Sequence, residues 1–239
     1  MTTKIALVTG GSAGLGRALV HALAARGWQV ITDARHAGRL AASVADLPED
    51  AVTALAGDIT DAEHRADLAA AVARHGRLDL LVHNASLLGP TSGEAPYRVL
   101  TDTTPEDLQQ VWRHNVGAPL VLTSLLLRPL LDARGVLLSI SSDAAVEHHA
   151  GWGLYSASKA ALDHVTLQIG AEHPEITAYA VDPGDMRTDM HQQWFAGEDI
   201  SDRPLPETVV PRLLALLDER PRAGRYRAAD IAVPTGAVA

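Results

Sequence analysis

The chain has no cysteine in its 239 residues. Disulfides, Cys-ligated zinc and thiolate nucleophiles are excluded at once. Aromatic residues are scarce: four Trp, four Tyr and one Phe. Positive charge is in deficit, with 20 Lys plus Arg against 29 Asp plus Glu and a formal net charge of −9. A nucleic-acid binder normally shows a basic footprint, so this balance argues against one. Long apolar runs are also missing. Stretches such as 120–122 and 125–127 fall far short of the ~18 residues a membrane helix needs, and no membrane partner is expected. The N-terminus lacks a signal-peptide layout and runs straight into a strand-like segment, which points to a cytoplasmic protein.

What is present is the hydrophobic fraction of an ordinary globular protein, 47%, on a length able to bury one large core. One domain over 1–239 is expected. Apolar runs of strand length at 5–8, 30–31, 52–56, 78–82, 136–140, 177–181 and 225–228 alternate with helical patterns. Those patterns cover 15–26, 61–75, 104–131, 155–171 and 207–218. Leu15, Leu19 and Leu23 form one stripe of the first helix, and Gly27 stops it. Thr104, Pro105, Glu106 and Asp107 read as a helix start, with Pro119 and Pro129 perturbing the helix that follows. Residues 86–103 form a long loop, and 189–206 read as irregular. The alternation implies an α/β fold: a doubly wound, mostly parallel sheet of about seven strands in the Rossmann manner.

Between the first strand and first helix lies Thr9-Gly10-Gly11-Ser12-Ala13-Gly14-Leu15-Gly16. Glycines here let the backbone turn sharply and approach a pyrophosphate, which then meets the positive end of the helix. The Gly-x3-Gly-x-Gly spacing departs from the Gly-x-Gly-x-x-Gly fingerprint, and an ordinary strand–helix turn is the competing reading. The end of the second strand should read the adenosine ribose, an acid there favouring NAD and an Arg favouring NADP. Asp33, about twenty residues beyond the loop, reads as NAD by that count alone.

Tyr155 and Lys159 stand four apart, on one helix face. A nearby ammonium stabilises a tyrosinate and moves the phenol toward the working pH, as a general acid requires. The chain holds only two lysines. Chance puts a Lys four residues after a Tyr in only ~3% of such chains, though a surface pair with no chemical role has the same spacing. Ser142 lies thirteen residues upstream of Tyr155, at the end of the fifth strand. There it could hold a substrate carbonyl while Tyr155 delivers a proton, or simply turn the chain.

Taken together these segments resemble the short-chain dehydrogenase/reductase family. The matches are the Thr-Gly-x3-Gly-x-Gly loop at Thr9 to Gly16, Tyr155-x3-Lys159 with Ser142 upstream, and Asn115 within His114-Asn115-Val116-Gly117. Asp58 after the third strand and Pro183-Gly184-x3-Thr188 after the sixth complete them. They occur in family order over roughly 4–190. The resemblance implies Tyr155 as proton donor or acceptor, and Lys159 as the group that lowers its pKa and binds the nicotinamide ribose. Ser142 would orient the carbonyl, and Asn115 would hold a water linking Lys159 to solvent. It implies Gly10, Ser12, Leu15 and Gly16 along the pyrophosphate and Asp58 and Ile59 at adenine. Asn84 and Ala85 would contact the cofactor, and Pro183, Gly184, Met186 and Thr188 its nicotinamide end. It puts the ribose-reading position at Ala34 and the 2′-phosphate position at Arg35, so that Asp33 points elsewhere. With Arg17 close to the loop, NADP(H) is expected over NAD(H). Where the family carries Asn-Asn-Ala-Gly, this chain has His83-Asn84-Ala85-Ser86, and Ser86 stands where backbone passes close to cofactor or substrate.

The expected activity is hydride transfer between NADP(H) and a small carbonyl or alcohol. A non-catalytic dinucleotide sensor or interaction protein on the same fold is the alternative, disfavoured because every catalytic position is filled. An epimerase or dehydratase would need a larger substrate domain. Residues 189–206, with Met190, Trp194 and Phe195, are expected to form a substrate lid, unless those side chains pack on the body or a second subunit. Trp152 is the candidate substrate wall. His148-His149 reads as loop surface and no metal is expected, since neighbouring side chains diverge and no third ligand is evident. The resemblance implies a homodimer or homotetramer built on the helices that carry Asn115 and Tyr155.

Overall fold

The computed structural model describes residues 3–89 and 99–233. The middle of the expected 86–103 loop lies outside them. Seven strands form a single sheet: β1 (Ile5–Val8), β2 (Gln29–Ala34), β3 (Val52–Ala56), β4 (Leu80–His83), β5 (Val136–Ile140), β6 (Thr177–Asp182) and β7 (Gly224–Arg227). Their order is β3-β2-β1-β4-β5-β6-β7, and every pairing is parallel. Strand order reverses between β1 and β4, and in such sheets ligands bind outside the strand ends at that switch point.

The helices are α1 (Gly14–Ala25), α2 (Ala37–Val44), α3 (Ala62–Ala73), α4 (Pro105–Trp112), α5 (Ala118–Asp132), α6 (Gly153–Glu172), α7 (Asp189–Trp194) and α8 (Pro206–Glu219). Two cores sandwich the sheet, because side chains alternate across a strand. Ala6 and Val8 of β1 face Leu19 and Leu23 of α1 and Leu213 of α8. Ile5 and Leu7 face the other way, onto Leu68 of α3 and Leu122 and Leu126 of α5.

Three differences from the sequence reading have physical causes. The expected helix over 104–131 opens as anticipated, with the Thr104 side chain and Asp107 forming a reciprocal cap and Pro105 at its start. It does not run continuously. Arg113–Gly117 form a π-helical turn, with the Ala118 amide donating to the Arg113 carbonyl, before α5 resumes. Pro119 has no N–H to give the carbonyl of Asn115 four residues back, so the α-helical ladder is interrupted there and a wider turn fits. The stretch 189–206 is not wholly irregular: Thr188 caps α7 by accepting from the His191 amide, and the helix runs to Trp194. Helix α2 escaped notice because it spans only eight residues and buries only Leu40 and Ser43.

Candidate active site

Gly10 and Gly14 have positive φ, +74° and +53°. At Gly10 a Cβ would sit 3.0 Å from the Ala85 Cα. The glycine loop therefore lies directly against the chain leaving β4. Asn84 fastens the two, its side-chain amide donating to the carbonyls of Thr9 and Gly10 at 2.8 and 3.2 Å. Gly16 packs behind, where any side chain would strike the Gly10 carbonyl and the Asn84 amide. The first turn of α1 carries no acidic residue and its N-cap, Ala13, supplies no side-chain bond. Its leading amides are thus left for an anion.

A cavity of about 430 Å³ opens over these strand ends. Gly10, Ser12 and Leu15 line it along the loop, with Arg35 and Ile59 at one end. Ala85, Ser142, Tyr155, Lys159, Pro183, Gly184, Met186 and Thr188 line the remainder. The volume falls within the range of small-molecule and cofactor sites. Uncapped helix amides, a glycine cradle and an Arg beyond β2 make a donor set that fits a phosphorylated dinucleotide.

Asp33 lines the cavity too, but both of its carboxylate oxygens have protein partners. It is 2% exposed. One carboxylate oxygen accepts from the Gly10 amide at 2.9 Å and the other pairs with His64 Nε2 at 3.0 Å. It braces the glycine loop through the Gly10 amide. Arg35, just before α2, and Arg39, in its first turn, line the cavity with His36. Sequence reading missed Arg39 because α2 went unrecognised; Arg39 lies in the first turn of that helix, which Arg35 just precedes. Asp58 stands beside this end with its Oδ1 held by the Thr60 amide and hydroxyl, both at 2.8 Å. Those bonds, with the charges of His114 and Arg35, hold its carboxyl below the ordinary value despite partial burial.

At the other end, Lys159 is 2% exposed and donates to the Ile140 carbonyl at 2.9 Å. Burial pushes its ammonium down to about 8, with Asp163 pulling the other way. Its nitrogen lies 5.6 Å from the centre of the Tyr155 ring. The sequence reading expected Lys159 to depress the Tyr155 pKa. In this structure burial dominates, and the phenol stands above its ordinary value, opposed chiefly by hydrogen bonds from Ser142 and Ser86. The Ser142 hydroxyl lies 2.8 Å from Asp143 as well, so its single proton serves one of these two acceptors at a time.

Asn115, in the π-helical turn, has a part the motif did not suggest. Its side chain accepts from the Leu87 amide and donates to the Leu87 carbonyl, both at 2.8 Å, and donates to the Ser158 hydroxyl at 2.9 Å. It clamps the segment carrying Ser86 onto α6 beside Tyr155. Behind β5 lies a group no sequence signal announced. Arg225 of β7 donates to Asp163 at 3.0 Å and to the Ser142 carbonyl at 2.8 Å. Asp163 also accepts from Ser141 at 2.7 Å.

The proposed substrate residues cluster as well. The Trp152 ring lies 5.8 Å from Tyr155 and 3.8 Å from Trp194, centre to centre. Thus Trp194 both packs on the body and lines the cavity. At the mouth, exposed Glu147 and His149 bring ligand atoms within 4.8 Å of Asp143 and of each other. The sequence reading saw only loop surface there; the loop turns them toward Asp143, whose Oδ2 lies 3.4 Å from His149.

The family model described as short chain dehydrogenase matches residues 4–199. The chain belongs to the short-chain dehydrogenase family. Within that family, the Escherichia coli oxidoreductase YciK is 30% identical over 234 residues, covering 94% of this chain and 90% of the relative. Versicolorin reductase 1 of Aspergillus parasiticus is 32% identical over 194 residues, covering 78% and 71%. A short-chain dehydrogenase structure from Shigella flexneri, complexed with NADP, superposes with a TM-score of 0.86 at 29% identity, covering 96% of this chain and 98% of that one.

Proposed function

We propose that this oxidoreductase transfers a hydride between NADP(H) and a carbonyl or alcohol, with Tyr155 as general acid and base. The observation that carries the reading is the convergence at one end of the dinucleotide-shaped cavity. The Tyr155 hydroxyl, hydrogen-bonded by Ser142 and Ser86, stands there beside a buried Lys159. Bound dinucleotide supplies the hydride chemistry. The chain's own work is geometric and protonic. Ser142 holds the carbonyl oxygen, Tyr155 gives it a proton or takes one from the alcohol, and Lys159 carries positive charge beside the phenol. Gly10, Ser12, Leu15, Asn84 and Ala85 would hold the pyrophosphate side, with Asp58 and Ile59 at the adenine. Pro183, Gly184, Met186 and Thr188 would hold the nicotinamide side.

Preference for NADP over NAD rests on Arg35 and Arg39, both lining the ribose end, and on the engagement of Asp33 elsewhere. The NADP and NADPH held by Shigella flexneri and Escherichia coli neighbours support the same choice. Helix α7, tied to α2 by Arg39 and Asp189 at 2.8 Å, serves as the lid. A homo-oligomer is proposed through α4 and α5, whose outer faces leave Leu108, Trp112, Leu120, Val121 and Leu125 exposed.

The deciding experiment is NADPH titration by fluorescence, followed by oxidation of NADPH against a panel of ketones, aldehydes and quinones, with Tyr155→Phe in parallel. Wild type should bind NADPH and turn over at least one carbonyl. Tyr155→Phe should lose 10²-fold or more in rate, on the order of one general-acid contribution, and bind NADPH within a few-fold of wild type. Tight binding without turnover on any carbonyl, quinone or aldehyde would favour the sensor alternative.

A further inference from the structure

The chain is poor in aromatics, yet it spends three of them at one spot. Trp152, Trp194 and Tyr155 form an aromatic cluster, with ring centres 3.8 Å apart and planes tilted by 49° for the tryptophans, and 5.8 Å apart in an edge-on pair at 65° for Trp152 and Tyr155. All three line the cavity, and Leu88 and Met190 line it with them. Trp194 is only 6% exposed although α7 is a short surface helix whose neighbours Gln192 and Gln193 face solvent. Tilted rings beside a reactive hydroxyl make an angled, polarisable pocket in which a planar ligand can meet one ring face and another ring edge, the arrangements aromatic pairs prefer.

Charge narrows the choice further. Asp143 lines this part of the cavity, and Asp182 and Asp185 line it too. Among the described residues, Arg225 is held by Asp163 and the Ser142 carbonyl, Arg227 and Arg203 lie 3.9 and 3.7 Å from Asp182 and Asp185, and Lys159 donates to the Ile140 carbonyl. Arg35 and Arg39 belong to the opposite, ribose end. A carboxylate or phosphate on the substrate would meet the carboxylates of Asp143 and Asp182, both close enough to raise the Tyr155 phenol, with the buried Lys159 as the opposing charge.

Resting on the reductase reading, we infer that this site takes uncharged aromatic ketones, the aryl ring lying against Trp152 and Trp194 with the carbonyl at Ser142 and Tyr155. The step balances with reduced nicotinamide as the co-reactant. Its hydride goes to the carbonyl carbon, the C=O π pair moves to oxygen and takes the Tyr155 proton, and a secondary alcohol and oxidised nicotinamide result.

The test measures kcat/KM with NADPH for 2-acetonaphthone, for acetophenone, for cyclohexyl methyl ketone and for 4-acetylbenzoate. Calorimetry measures binding of each to the protein–NADP⁺ complex. The aryl ketones should exceed the saturated ketone by on the order of ten-fold, the scale of one good aromatic contact. Acetophenone should exceed its anionic analogue by at least as much. Trp194→Leu, or Trp152→Leu if the first misfolds by circular dichroism, should shrink the aryl preference by several-fold. Equal or better turnover of cyclohexyl methyl ketone or 4-acetylbenzoate would overturn the inference and leave the reductase reading intact. Aryl-selective binding with no turnover of any ketone would support the aromatic site and sink the reductase reading. Absence of binding and of turnover for both aryl ketones would overturn the inference.

Discussion

At the scale of single residues, Ser86 is the position where this chain departs most usefully from the family pattern. Its hydroxyl hydrogen-bonds Tyr155 and lies 3.4 Å from the Asn115 side-chain oxygen. That bond pulls the phenol down against the burial that raises it. Alcohol oxidation needs the phenolate and rises as pH passes through the Tyr155 pKa. Without Ser86 that pKa moves higher, so in Ser86→Ala the rise should shift to higher pH. At a fixed pH on the rising limb, oxidation should slow by about five-fold, the scale of one net hydrogen bond. A kcat profile against pH reads this directly, and an unmoved limb would remove Ser86 from the proton chemistry. At the cofactor's other end, Arg35→Ala should weaken NADPH binding by ten-fold or more, about 1.5–3 kcal/mol for a hydrogen bond to a charged group. NADH binding should change little; equal losses in paired titrations would reassign Arg35 to the surface. These residue roles differ in how far they could be read beforehand. The Tyr155–Lys159 spacing was legible because helical geometry makes i and i+4 neighbours. The Ser86–Tyr155 contact was not, because it joins a loop after β4 to a helix some seventy residues later, and no local period encodes that meeting.

Among the elements, β7 does more than close the sheet. Arg225 reaches from it to Asp163 on α6 and to the carbonyl of Ser142 at the end of β5. Asp163 stands one turn beyond Lys159, and its other oxygen, Oδ1, is buried without a hydrogen-bond partner. Burial raises the Asp163 carboxyl, while Ser141 and Arg225 pull it down. Arg225→Ala removes the cation from a mostly buried carboxylate and frees the backbone that aims Ser142. It should cost about 2–3 kcal/mol of stability, seen as a lower urea midpoint, and should lower kcat more than it changes the NADPH Kd. A stability loss with unchanged kcat would make the pair a strut only. The interrupted α4–α5 segment belongs to this scale too. Pro119 was visible as a perturbation, but its effect depends on which carbonyl loses its donor. That carbonyl is Asn115's, and the side chain of the same residue clamps the 86–87 segment.

For the whole molecule, α4 and α5 leave Leu108, Trp112, Leu120, Val121 and Leu125 exposed among polar residues such as Gln109, Ser124 and Arg128. Leu108 and Trp112 are four apart, as are Val121 and Leu125, and Leu125 is 49% exposed. Large apolar side chains exposed together are what the proposed oligomer would cover. Leu125→Glu should convert the proposed oligomer to a smaller species by sedimentation velocity with little loss of secondary structure. An unchanged sedimentation coefficient would send the interface elsewhere. Among the described residues no helix is long and apolar enough to cross a membrane.

The sequence by itself determined the alternation of strands and helices, hence the doubly wound sheet, and the positions of the local motifs. Each of these follows from periodicity or spacing within about twenty residues, which backbone geometry translates directly into structure. Tertiary structure alone decided what surrounds those motifs: the engagement of Asp33 with Gly10 and His64, the Arg225 brace, the Trp152–Trp194 pair and the balance of burial over charge at Tyr155. Each depends on side chains brought together from distant strand ends, and its energy is set by solvent exclusion that only the packed sheet creates.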